Sequence, residues 1–201
     1  MDFAAEYLRV VIERFKSIKN LGDKAIEQLS EADLHWTFNE ESNSVSVIVQ
    51  HISGNMRSRW TDFLNSDGEK PDRNREIEFI DNGASKTEII ETLEKGWNTL
   101  FEALNHLNGK DLLKNVSIRG ESHLVIEAIE RQVAHYAYHV GQIVYIGKQL
   151  KNKDWNSLSI PRGQSDAYLQ QMMKKHQPGK KETFAKKVSE HTFSPTKHDG
   201  K

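Results

Sequence analysis

Apolar residues recur along this chain at steps of three and four, the repeat of helices that bury one face. Ala4, Leu8, Val11, Phe15 and Ile18 fall on such a stripe with charged residues between them, predicting an amphipathic helix over about 2–29, with Gly22 bending it or ending its first part. A second helix is predicted from Ser44, a suitable N-cap, to about Leu64, where Asn65-Ser-Asp-Gly68 supplies turn residues. Ser85-Lys-Thr-Glu88 has the form of a capping box, and it opens a third stripe through Ile90, Leu93, Trp97, Leu100, Leu104 and Leu107. The fourth, from about Ser122 to Lys151, runs through Ile129, Val133, Tyr136, Val140, Ile143, Gly147 and Leu150. Between the last two, Asn115-Val-Ser-Ile-Arg119 has room for a short strand, and Ser159–Ser165 reads as a loop leading to a short helix that ends near His176.

Four long amphipathic helices without a run of strands predict an all-α fold, a four-helix bundle over residues 1–176 with a short extra C-terminal helix. Residues 174–201 carry eight lysines against three acidic residues, leaving a net charge of −6 on residues 1–173. With few apolar residues in it, the stretch 177–201 is expected to be a flexible basic tail. The acidic body argues against nucleic-acid binding. No apolar run reaches the length of a membrane span and the N-terminus lacks a basic signal start, so a soluble cytoplasmic protein is expected. The absence of cysteine excludes thiolate ligands and a cysteine nucleophile, so any metal must be held by His, Asp, Glu or water.

The candidate chemistry lies in the fourth helix. In Arg131-Gln-Val-Ala-His135-Tyr-Ala-Tyr-His139-Val-Gly-Gln142 two imidazoles stand four residues apart, one turn plus about 40°, and project from one helix face. That spacing suits one metal ion, but it suits equally two partly buried, hydrogen-bonded histidines in an aromatic helix, and without an HExxH pattern it is a weak motif. A metal site needs at least a third protein ligand. Of the seven other histidines only His51 lies in a strongly apolar, helix-like segment, which makes it the candidate. Gln142 lies one turn beyond His139 and Asn55 one turn beyond His51, with Arg59 a further turn on, able to grip a carboxylate. Each also has a plain structural reading: an inter-helix hydrogen bond for Asn55, an ion pair for Arg59 and Arg131, a surface amide for Gln142. Arg162 in Ile160-Pro-Arg-Gly-Gln and Trp36 are candidates to reach a substrate, or to pack. No general base stands out, and the catalytic residues stay unassigned.

His51-Ile-Ser-Gly-Asn55-Met-Arg-Ser-Arg59-Trp-Thr-Asp-Phe63 with Asp67-Gly-Glu-Lys-Pro71, His135-Tyr-Ala-Tyr-His139-Val-Gly-Gln-Ile143 and Ser159-Ile-Pro-Arg-Gly-Gln-Ser165, in this order, resemble the DinB/YfiT-like superfamily. More closely, they resemble a bacterial branch of it named only as a domain of unknown function, over roughly residues 1–175. The resemblance implies a bundle with His51, His135 and His139 as ligands of a divalent metal ion such as zinc or nickel. It implies, too, a metal-dependent thiol S-transferase in detoxification or stress response that uses a low-molecular-weight thiol cosubstrate. A small-molecule substrate and a homodimer are the expected partners, with no nucleic acid and no membrane. The other readings open at this stage are a non-catalytic metal- or ligand-binding stress protein and a metal-dependent hydrolase.

Overall fold

A computed structural model describes residues 2–176 of the 201-residue chain, and the expected basic tail, 177–201, lies outside the described residues. Six helices and one hairpin follow in the order α1 (Phe3–Glu27), α2 (Glu31–Leu34), α3 (Val45–Trp60), α4 (Lys86–His106), β1 (Asn115–Ile118), β2 (Glu121–Leu124), α5 (Val125–Lys151) and α6 (Ser165–Lys175). The protein is mostly helical, as the periodicity predicts. A short 3-10 turn over Ile77–Phe79 interrupts the long connection from α3 to α4. The residues divide after Leu158 into two compact units, the helices α1–α5 with the hairpin in the first and α6 in the second. Among the described residues no helix is long and apolar enough to cross a membrane.

The helix starts follow local chemistry. Ser44 caps α3 through the Val47 N–H, and Ser85 with Glu88 closes a reciprocal capping box on α4. Gly22 does not break α1: it is buried mid-helix and faces Val140 of α5. The fourth predicted helix starts three residues later than its pattern suggests. Arg119 and Gly120 both adopt positive φ, +56° and +76°, the two-residue turn that matches strand twist, and Glu121–Leu124 pair with Asn115–Ile118. Residues 122–124 thus lie in the second strand, and the Leu124 N–H donates to the Glu127 carboxylate where α5 begins.

The core of the first unit is centred on aromatic rings from four helices. Tyr136 of α5 packs against Phe15 of α1 and Trp97 of α4, with centroids 6.0 and 5.7 Å apart, and Phe15 meets Trp60 of α3 edge-on at 6.3 Å. The buried Tyr136 hydroxyl accepts a hydrogen bond from Trp60 Nε1 (3.1 Å) and donates to Asn55 Oδ1 (2.9 Å). This satisfied polar link fixes the level and rotation of α3 relative to α5, and so decides which of their other side chains meet.

Candidate metal centre

His51 of α3 meets His135 and His139 of α5 at the level next to that link. One nitrogen from each ring lies within 4.8 Å of the others. Ring centroids are 5.5 Å apart for His51 and His135, 5.1 Å for His51 and His139, and 4.8 Å for the α5 pair. The expected trio therefore forms one cluster, and a trio of this kind can hold a metal ion.

The outer nitrogen of every ring is already engaged. His51 Nδ1 donates to Glu78 Oε2 at 3.0 Å, His139 Nδ1 to Gln142 Oε1 at 2.8 Å, and His135 Nδ1 to Gln132 Oε1 at 3.3 Å. An acceptor on Nδ1 selects the Nδ1–H tautomer and leaves Nε2 with a free lone pair, the arrangement in which histidines bind metals. His139 Nε2 is buried and has no hydrogen-bond partner among the described residues. A buried nitrogen of that kind is costly unless something else accepts its lone pair. The donor set suits a divalent ion that favours imidazole, such as zinc or nickel.

Burial keeps the two α5 rings neutral. Burial, then the neighbouring His139 and His51 and the cations Arg73 and Arg131, push the His135 pKa down to about 3. His139 is pushed down to about 4, chiefly by burial, although its bond to Gln142 works the other way. Neutral rings compete for a metal without first losing a proton.

Glu78 is the main participant that sequence reasoning missed. It belongs to the 3-10 turn, where no periodicity marks it, and its carboxylate takes the Arg73 guanidinium side-on, Nε to Oε1 at 2.7 Å and Nη2 to Oε2 at 2.8 Å. Burial raises its proton affinity, but the bonds from Arg73 and His51 outweigh that and hold it below the ordinary carboxylate value. Its approach to α3 depends on Gly54, since a Cβ there would lie 2.3 Å from Glu78 Oε1. Gln132, also missed, did carry a signal: it precedes His135 by three residues, the mirror of Gln142 following His139 by three.

The remaining candidates are placed as follows. Gln142 is the His139 partner. Asn55 is buried, with its amide oxygen engaged by Tyr136. Arg59 is 2% exposed and its Nε and Nη1 have no hydrogen-bond partner among the described residues, which departs from the ion-pair reading. His35 bonds Asp81 through Nδ1 (2.8 Å) and the Ala84 carbonyl through Nε2 (3.0 Å). Trp36 packs on Phe38. Arg162 belongs to the second unit, two residues before the N-cap of α6.

Half-exposed Phe79 and Tyr138 rim the cluster, with ring centroids 4.8 Å from His51 and 4.3 Å from His139. A separate cavity of about 620 Å³ between α3, α4 and their connection reaches Arg73 and Glu78 but none of the three histidines. It touches the site's outer supports, not its centre.

The family described as "Protein of unknown function (DUF1572)" matches residues 2–164, and the chain belongs to that family. The match spans all three histidines and their partners. No curated protein and no solved structure matches the chain.

Proposed function

We propose that this chain is a DinB-like metalloenzyme in which His51, His135 and His139 hold a divalent ion, and that it transfers a low-molecular-weight thiol to a small electrophile. The observation that carries this reading is the common contact pattern of the three rings, each with Nδ1 at a carboxylate or amide oxygen, which leaves Nε2 for the centre. A divalent ion bound by three neutral imidazoles supplies Lewis acidity, which lowers the pKa of a coordinated thiol or water towards neutrality. Such chemistry needs no cysteine from the protein, and this chain has none.

The chain's own residues supply positioning. Glu78, Gln132 and Gln142 fix the planes of the rings. Phe79 and Tyr138 offer apolar faces for the carbon skeleton of a substrate and exclude water on binding. Glu78 does not serve as a general base, because both of its oxygens are occupied by Arg73 and His51. That favours thiol ionisation over hydrolysis, where a base must take a proton from water during attack. A cytoplasmic role in detoxification or stress response, and a homodimeric assembly, belong to the same reading and rest on the family resemblance.

The test is turnover with a panel of thiols and electrophiles by the metal-loaded protein, beside His135→Ala. Product from the parent protein alone, with the helical circular dichroism of the variant preserved, is the expected result. Stoichiometric metal and saturable ligand binding without product across the panel would identify a metal-holding protein instead.

A further inference from the structure

Arg59 is among the most completely buried side chains of the molecule, yet its Nε and Nη1 have no hydrogen-bond partner among the described residues. Taking a guanidinium out of water without a counter-charge costs several kcal/mol, and native proteins rarely leave one so. The neighbouring charges are settled. Arg73 holds Glu78 and, more weakly, Glu69, and Arg119 also reaches Glu69 at 3.2 Å. The Asp67 carboxylate is filled by the Ser117 hydroxyl and the backbone N–H groups of Glu69, Arg119 and Gly120.

The loop after α3 packs closely over Arg59. A Cβ at position 68 would come within 2.4 Å of its Nη1, so Gly68 lets the loop pass over the guanidinium. Its place relative to the histidines follows from helix geometry. Arg59 is eight residues beyond His51 on α3, about 12 Å of rise, and its side chain leans back towards His51. Asn55 and Tyr136 lock the intervening level. On α5, exposed Arg131 precedes His135 by one turn. Arg131 and Arg73 act electrostatically on both Arg59 and His135, so the same cations lie within reach of the metal centre and of the buried guanidinium. In a body with a net negative charge, this local positive excess is a built feature.

We propose that Arg59, with Arg131 at its outer side, anchors an anionic group, carboxylate or phosphate, of the small molecule that reacts at the three-histidine centre. The proposal rests on the metal-centre reading for what happens at the other end of that molecule. The substrate or thiol cosubstrate is then a bifunctional compound, with its reacting atom at the histidines and its negative group within two helical turns of them. Arg59 is a binding residue held at a stability cost, repaid when the anion arrives.

The test uses three probes on the zinc-loaded full chain, 8-mercaptooctanoate, 8-mercaptooctyl phosphate and the uncharged 8-mercapto-1-octanol, with affinities measured by isothermal titration calorimetry. The parent protein is expected to bind one or both anionic probes at least about tenfold more tightly than the alcohol, as befits a charge-assisted contact. Which anion gains more identifies the natural group. Arg59→Met is expected to equalise the three, to keep its zinc, and to unfold in urea no earlier than the parent. Equal binding of acid, phosphate and alcohol by the parent protein would overturn the proposal, and so would a preference that survives Arg59→Met. If Arg59→Met does not fold, the parent comparison still decides. Absence of zinc from the parent would refute the metal reading alone, and the same comparison on the metal-free chain would then decide this one.

Discussion

Replacing Glu78 with glutamine tests the link between the connection of α3 to α4 and the histidine cluster. The carboxylate accepts three buried hydrogen bonds, from His51 Nδ1, Arg73 Nε and Arg73 Nη2. Side-chain exposures are 8% for Glu78, 4% for Arg73 and 7% for His51, so water does little to replace what is lost. Glutamine keeps one acceptor oxygen but turns an NH2 towards donors. Breaking one side of a buried pair costs about 3–5 kcal/mol. Glu69, 3.4 Å from Arg73 Nη1, retains part of the compensation, which puts the expected loss near the lower end, about 3 kcal/mol. With a denaturant slope of about 2 kcal/mol/M, the urea midpoint should fall by about 1.5 M. Losing the orienting acceptor on His51 should weaken metal binding by about 10–100-fold, measured by competition with a chelator of known affinity. A midpoint shift below about 0.5 M together with metal affinity within about twofold of the parent would refute the view that Glu78 supports the centre.

Three further outcomes follow from the same contacts. Gln142→Ala removes the acceptor of His139 Nδ1 from an exposed position, so chelator competition should show metal affinity lowered about tenfold or more with little change in the melting temperature. Tyr136→Phe strands the buried Trp60 N–H and Asn55 oxygen, and should cost about 1–3 kcal/mol by urea unfolding while leaving metal stoichiometry intact. In the metal-free protein His135 and His139 titrate at about 3 and about 4 when folded, below the ordinary histidine value of about 6.5 in the unfolded chain. The unfolded chain therefore binds more protons across that window, and stability is full above about pH 6.5 and declines as pH falls towards 4. With partial exposure discounted, the decline from the pair should be about 2–4 kcal/mol. Metal-free His135→Ala should lose less than the parent between pH 6.5 and 4.5, and an equal loss would contradict the assigned shifts.

The parts of this molecule legible in the sequence are those written in local periodicity. The stripes through Phe15, Trp97 and Tyr136 gave the helices and most of their buried faces, although α4 buries Ile89 and exposes Ile90, and the spacing of His135 and His139 gave a shared helix face. His51 was reachable because it was the one remaining histidine in an apolar segment. Glu78 and Arg73 were not reachable, because the chain between Leu64 and Ser85 has no repeat and their role depends on a fold-back permitted by Gly54. The hairpin at Asn115–Leu124 was half visible. Its first strand has alternating character, but the second was absorbed into the α5 pattern, and only the positive φ of Arg119 and Gly120 separates them. The state of Arg59 was invisible as well. Its place about two turns beyond His51 could be counted from the sequence, but the missing ion pair shows only once every neighbouring carboxylate has been placed.

The central claim, that His51, His135 and His139 together hold one divalent ion, is tested most directly by elemental mass spectrometry on tag-free purified protein. His51→Ala and His135→Ala are measured beside it. The account predicts about one equivalent of zinc, nickel or another divalent ion in the parent protein and loss of that metal in both variants. No metal in the parent after reconstitution, or metal retained in either variant, would contradict it.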